Sequence, residues 1–320
     1  MEPRSGQREV IGATKPGTAT DVHQHLWPPP FVEALRRRAN PPRLDGWTLH
    51  LAGEPPYDVD PAAHDVDKRA AVEREHGFDR VMISPSSPLG IERLAAAEAV
   101  PLLDAWHQGV RALPEPFRAW AAATTREIEP TGLAAALDGG CVGLQVPADA
   151  VATPAGWEHL GPLLALCEDR GRAVLVHPGP ASVQDPRAPV WWAPIVEYVG
   201  QLHAAWWSWH LAGRALFPRL RIGFVAGAGL APLHHERLVA RGGTFDHVDP
   251  HVYVDTSSYA VRALDALVRV LGVDVIVFGS DRPYAEPADT ELGAAASHAI
   301  RHVNPARFLE GAHGFVGAQS

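Results

Sequence analysis

Positive charge is in short supply in this chain of 320 residues: 28 Lys and Arg stand against 37 Asp and Glu, a formal net charge of −9. A nucleic-acid-binding protein shows a basic patch or stripe. The short Arg36, Arg37, Arg38 cluster is not one, and at a predicted helix end it suits the helix dipole instead. Cysteine is scarcer still. Cys141, in a strand-like run, and Cys167, in a helix-like run, are the two, too few for a disulfide framework, so a reduced, cytoplasmic protein is expected. No stretch of about 18 apolar residues occurs, so no membrane helix is expected. The opening MEPRSGQREVIGATKPGTAT has no apolar segment of the signal-peptide kind.

Apolar residues are plentiful at 46%, enough for a large core, and 30 prolines and 29 glycines fall mostly between apolar runs. Eight short runs read as strands: Thr18 to His23, Arg80 to Ser84, Arg118 to Ala122, Cys141 to Val146, Ala173 to His177, Arg221 to Ala226, His251 to Asp255 and Val275 to Gly279. Helical periodicity separates them, at Asp65 to His76, Ile91 to Leu113, Trp157 to Arg170, Ala193 to Leu216 and from about Pro232. Strand alternating with helix implies parallel pairing and right-handed crossovers. Eight such units predict an α/β chain folded as a (β/α)8 TIM barrel, a single domain over residues 19–312. Residues 1–18 and 313–320 read as flexible N- and C-terminal tails.

The organising stretch is Asp21, Val22, His23, Gln24, His25. Side chains two apart on a strand share a face, so His23 and His25 can grip one ion. His177 closes the run AVLVH, and Asp281 follows the run VIVFG. Both supply ligand types that a hydrolytic metal site uses, and in a barrel the strands' C-terminal ends form the active site.

DVHQHLWP, CVGLQVP, VLVHPGP, VYVDTSS and VIVFGSDRP, in that order, resemble the amidohydrolase-related family of metal-dependent hydrolases. The family includes aminocarboxymuconate semialdehyde decarboxylase-like enzymes, resorcylate decarboxylases and pyrone dicarboxylate lactonases. The resemblance implies that His23, His25 and His177 are metal ligands and that Asp281 binds the ion, orients its water or takes its proton. The implied cofactor is a divalent ion, zinc first and manganese as the alternative. One motif departs: where the family has a histidine before glycines and a proline at the sixth strand, this chain reads GFVAGAGLAP, with Ala226 or Gly227 in that place. In the decarboxylases of the family that histidine is implicated in proton transfer; His234, His235, His203 and His210 are the nearby candidates to replace it.

The longest insertion, Pro178 to Trp192, leads into a helix carrying Trp206, Trp207 and Trp209. With Trp191 and Trp192 these make an aromatic substrate wall or lid, and the same helix suits a dimer surface. Trp191, Trp192, Arg126 and His210 are the candidate substrate contacts, with Arg43, Arg187 and Arg282 as further cations for an acidic substrate. Ser84, Ser86 and Ser87 lack a nucleophile-elbow context, and Gly227 and Gly229 alone are no dinucleotide fingerprint. The expected function is therefore a metal-dependent hydrolase acting on a small cyclic or aromatic acid, with a small molecule as its partner and neither nucleic acid nor membrane. Nonoxidative decarboxylation is the first alternative. A barrel that lost turnover and binds a ligand is the second.

Overall fold

The computed structural model describes residues 17–52, 54–182, 187–287 and 290–311. Apart from residues 17 and 18, the two expected tails lie outside the described residues, as does 183–186 of the long insertion. Eight parallel strands carry the fold: β1 (Thr20–His25), then, after a small antiparallel sheet of β2 (Arg43–Asp45), β3 (Thr48–His50) and β4 (Tyr57–Asp58), β5 (Arg80–Ser84), β6 (Phe117–Ala119), β7 (Gly143–Pro147), β8 (Ala173–His177), β9 (Ile222–Phe224), β10 (Val252–Asp255) and β11 (Ile276–Val277). All eight expected barrel strands are present, β5 and β8 with the expected ends and the other six with shifted ones.

The shifts have local causes. β1 runs two residues further than expected because His23, Gln24 and His25 are all buried inside the barrel, polar or not. β7 starts at Gly143, so Cys141 lies just before the strand. Only glycine fits there, since a Cβ would stand 2.1 Å from the Ala173 carbonyl and 2.7 Å from the Trp120 ring. β9 ends at Phe224, because residues 226–230 all turn into the left-handed region.

The ladders form two arcs, β1–β5–β6 and β11–β10–β9–β8–β7, so the barrel is not one continuous ladder. Backbone hydrogen bonds nevertheless cross both gaps. Ala121 donates to Gly143 at 2.8 Å between β6 and β7, and Val22 to Phe278 at 2.9 Å and Asp281 to His23 at 2.9 Å between β1 and the end of β11. Strands covered on both faces read as near-continuous apolar runs, and β7, β8, β9 and β10 are buried at every residue, with Gln145, His177 and Asp255 as their polar members.

The helices follow the predicted periodicity with breaks. Asp65 caps the Val66–Glu75 helix by accepting from the Lys68 amide at 3.1 Å, as its position predicts. The stretch from Ile91 splits into a 3₁₀ turn (Ile91–Arg93) and a helix (Ala96–Arg111), and that from Trp157 splits at Leu160. The tryptophan-rich helix runs from Ala193 to Leu216 but widens twice into π-turns, Ala193–Glu197 and Trp209–Gly213. Trp206 and Trp209 face inward and are buried, whereas Trp191 and Trp192 are exposed. No helix among the described residues is long and apolar enough to cross a membrane.

Candidate metal centre

The strand ends bring His23, His25, His177 and Asp281 together: one ligand atom from each lies within 4.8 Å of all the others. The three imidazoles meet edge to face, with centroids 5.1 Å (His23–His25), 5.0 Å (His23–His177) and 4.9 Å (His25–His177) apart. His23 Nε2 and His25 Nε2 are 3.2 Å apart, and Asp281 Oδ1 is 3.6 Å and 3.2 Å from them. Asp281 reaches the cluster from a left-handed backbone, φ 62°, held by its own amide on the His23 carbonyl. Such strain is kept where the surrounding contacts enforce it and clusters at functional sites.

Each ring is oriented through its far nitrogen. His23 Nδ1 donates to Asp255 Oδ2 at 2.8 Å, His25 Nδ1 to the Ser84 carbonyl at 3.2 Å and His177 Nδ1 to the Pro178 carbonyl at 2.9 Å. With Nδ1 protonated and engaged, every ring turns its Nε2 lone pair inward, the arrangement metal-ligating histidines use. Asp255 is fixed in turn: its Oδ1 accepts from the Ala226 amide (2.7 Å), the Ser257 amide (3.0 Å) and the Ser257 hydroxyl (2.6 Å).

At His25, His177 and Asp281 the electrostatics favour the ligating form; at His23 they do not. Burial, then the charges of His25 and His23, push His177 well below the usual histidine range, and burial pulls His25 down as well. Burial also opposes the charged form of His23, but the hydrogen bond and charge of Asp255 outweigh it and raise its pKa. For Asp281 burial works against ionisation, yet its contact with His25 and the three surrounding imidazoles bring its pKa below the carboxylate norm. Three buried, pre-oriented nitrogen donors and one partly buried carboxylate fit a divalent transition-metal ion.

The other sequence candidates sit elsewhere. Trp191 and Trp192 touch each other, 6.1 Å between centroids, on the outer rim. Arg126 is exposed on the loop after β6. His210 packs against Trp206 (4.6 Å) in the outer helical layer, where His235 and Phe245 also lie. His203 accepts from Trp207 Nε1 at 3.0 Å and faces His234. Arg282 is buried in ion pairs with Glu73 (3.0 Å) and Glu286 (3.2 Å), and Arg43 pairs with Asp45 at 3.9 Å.

Sequence reasoning passed over Asp255 and Tyr284. Asp255 carried a signal, since it closes the apolar run VYV as His177 closes AVLV. Tyr284, three residues after Asp281, lays its ring 5.3 Å from His25 and its hydroxyl 3.3 Å from Ser86 Oγ.

No family model matches the chain, and no curated protein is similar to it. Solved structures are. IDCase of Metarhizium anisopliae in apo form superposes with TM-score 0.72 at 17% identity, over 91% of this chain and 97% of that one. The 5-carboxyvanillate decarboxylase of Novosphingobium aromaticivorans, complexed with manganese and 4-hydroxy-3-methoxy-5-nitrobenzoic acid, gives TM-score 0.67 at 16% identity, over 92% and 96%. The 4-oxalomesaconate hydratase of Rhodopseudomonas palustris gives 0.64 at 16%, over 94% and 98%. The chain therefore has the α/β barrel fold of these enzymes, over nearly the whole length of each.

Proposed function

We propose that the chain is a divalent-metal-dependent enzyme of the amidohydrolase-related family that removes CO₂, without an oxidant, from a small hydroxyaromatic or related unsaturated acid. The observation that carries the reading is the convergence of His23, His25, His177 and Asp281 at the strands' C-terminal ends, within 4.8 Å of one another. Two of the three fold neighbours are named for or complexed in ways that suit this reaction: a decarboxylase holding manganese and a nitrophenolic acid, and IDCase. Manganese joins zinc as a candidate cofactor on that support.

In this reading the three imidazoles hold the ion, and Asp255 with the Ser84 and Pro178 carbonyls keeps them in one tautomer. The bound ion supplies Lewis acidity that withdraws electron density from the substrate's carboxylate or carbonyl. Asp281, a carboxylate at neutral pH, would take up one proton from solvent at Oδ and deliver it to the ring carbon that bears the carboxylate. The C–C bond then breaks, its electron pair returns to the ring and CO₂ leaves. Tyr284, against His25, lines the approach.

Hydrolysis of a small cyclic or aromatic acid derivative is the second reading. The run GFVAGAGLAP favours it, because Ala226 or Gly227 stands where the resemblance implies an imidazole for a decarboxylase of this family. Protein loaded with Mn²⁺ or Zn²⁺ and given a panel of hydroxybenzoates and cyclic esters separates the two. Equimolar CO₂ is expected; ring opening or acid release without CO₂ would transfer the assignment to hydrolysis. Full metal loading with no turnover on either set would favour a ligand-binding barrel.

A further inference from the structure

The insertion after β1 holds an imidazole that the chemistry above does not use. His64 closes the turn Pro61–His64 just ahead of the Val66–Glu75 helix, and it is 6% exposed. Its ring lies between two nearly parallel indoles: Trp27, with centroids 4.4 Å apart and planes at 7°, and Trp47, at 6.1 Å and 2°. Two contacts tie this turn to the end of β1. The Trp27 amide donates to His64 Nδ1 at 3.1 Å, and Arg69 Nη1 donates both to the Ala63 carbonyl (2.9 Å) and to the His25 carbonyl (3.0 Å).

These contacts decide the tautomer. Because Nδ1 accepts, the proton of the neutral ring sits on Nε2. That Nε2 is buried and has no hydrogen-bond partner among the described residues. Buried donors in folded proteins are satisfied by protein, water or ligand. Here the orphan belongs to a turn tied to the end of β1 through Trp27 and, by way of Arg69, the His25 carbonyl. Burial, with the charges of Arg69 and His25, lowers the ring's pKa to about 3, so the imidazole is neutral across the physiological range.

We propose that His64 is a substrate contact, its Nε2–H donating to an acceptor oxygen of the acid that sits over the His23, His25, His177, Asp281 quartet. The proposal rests on the functional reading above. The stack gives the donor a fixed direction: the Trp27 indole that flanks it is itself anchored, Nε1 donating to Ser86 Oγ at 3.4 Å, and Ser86 also meets the Tyr284 hydroxyl beside His25. A continuous chain of contacts thus runs from Tyr284, beside His25, through Ser86 and Trp27 to His64, whose N–H is unused.

The test is binding of 4-hydroxy-3-methoxy-5-nitrobenzoic acid to manganese-loaded wild type, His64→Phe and His64→Gln, read by calorimetry alongside manganese content. Phenylalanine keeps the stack without the donor, and glutamine restores a donor. The Phe variant is expected to bind about tenfold more weakly, about 1.4 kcal/mol, with unchanged manganese, and the Gln variant to recover part of the loss. In wild type labelled with ¹⁵N histidine, His64 should appear as the Nε2–H tautomer and its proton should shift when the probe is added. Equal affinity in the Phe variant with no such shift overturns the role of His64 and leaves the functional reading intact. Loss of manganese in that variant also overturns it, assigning His64 a structural task. Failure of manganese-loaded wild type to bind this probe or any hydroxybenzoate of the panel overturns the functional reading itself.

Discussion

Asp255 Oδ2 lies 2.8 Å from His23 Nδ1, and both side chains are 1% exposed. The pair fixes which nitrogen of the first ligand faces the quartet. Asp255→Asn keeps the shape but offers an amide that can donate to Nδ1, which would move the ring proton to Nε2 and cap the lone pair. Metal affinity is expected to fall by about 10–100-fold. Competition against a chromogenic chelator measures it, and unchanged affinity would remove Asp255 from the site.

The quartet itself makes a simpler prediction. Elemental analysis of protein purified without added metal should find close to one divalent ion in wild type and little in His23→Ala or His177→Ala, since each imidazole is one of four donors converging within 4.8 Å. Equal content in all three proteins would dissolve the proposed centre.

Much of this was legible because parallel barrel strands are covered on both faces, so a polar residue at the end of an apolar run stands out. His177 after AVLV and Asp281 after VIVFGS are of that kind, and the dyad of His23 and His25 needs only the two-residue period of a strand. The small sheet of β2, β3 and β4 was not legible: its pieces RLD, TLH and YD are short and partly exposed, with no alternation to read. Nor could a sequence distinguish Asp255, which orients His23, from Asp281, which joins the quartet, since both follow buried apolar runs. The role of Trp27 and Trp47 around His64 depends on ring planes brought together from residues 20 and 37 positions apart in unrelated local structures. The π-widened turns at Ala193–Glu197 and Trp209–Gly213 likewise carry no signature that separates them from ordinary helix.

Acid should destabilise the fold, and the sign follows from buried histidines. Burial lowers His107, His210 and His235 to about 4 and His64 to about 3. Unfolded, each takes a proton near 6.5, so between about pH 6.5 and 4 the unfolded chain binds more protons and stability falls as pH falls. Two buried carboxyls oppose this. Burial raises Glu92 to about 7 and Asp21 to about 6, so the folded form binds their protons first and gains stability on acidification. The further shifts divide evenly, His25, His177 and His203 lowered against His23, Glu54 and Asp149 raised, so the four histidines outnumber the two carboxyls and the net slope is loss. Urea midpoints should drop from pH 7 to pH 5, more steeply in Glu92→Gln and less steeply in His107→Gln.

The last prediction concerns the turn that follows β9. Residues 226–230 all have positive φ, three of them not glycine: Ala226 at 46°, Ala228 at 56° and Leu230 at 59°. This costs backbone energy, and it sets the Ala226 amide on Asp255 Oδ1, the carboxylate whose other oxygen holds His23. The methyl of Ala226 therefore starts one hydrogen bond away from the residue that orients a ligand. At Gly227, the other candidate position, a Cβ would stand 2.8 Å from Leu267 Cδ1, so that side chain would have to shift. Histidine tolerates the left-handed region better than most side chains, so Ala226→His should fold with its metal content unchanged and place an imidazole beside Asp255. If proton delivery to the substrate carbon limits decarboxylation, CO₂ release should rise in this variant, with kcat changing more than KM. An unchanged kcat would mean that Asp281 moves the proton without help, and that the chain reached its present chemistry without a base at the sixth strand.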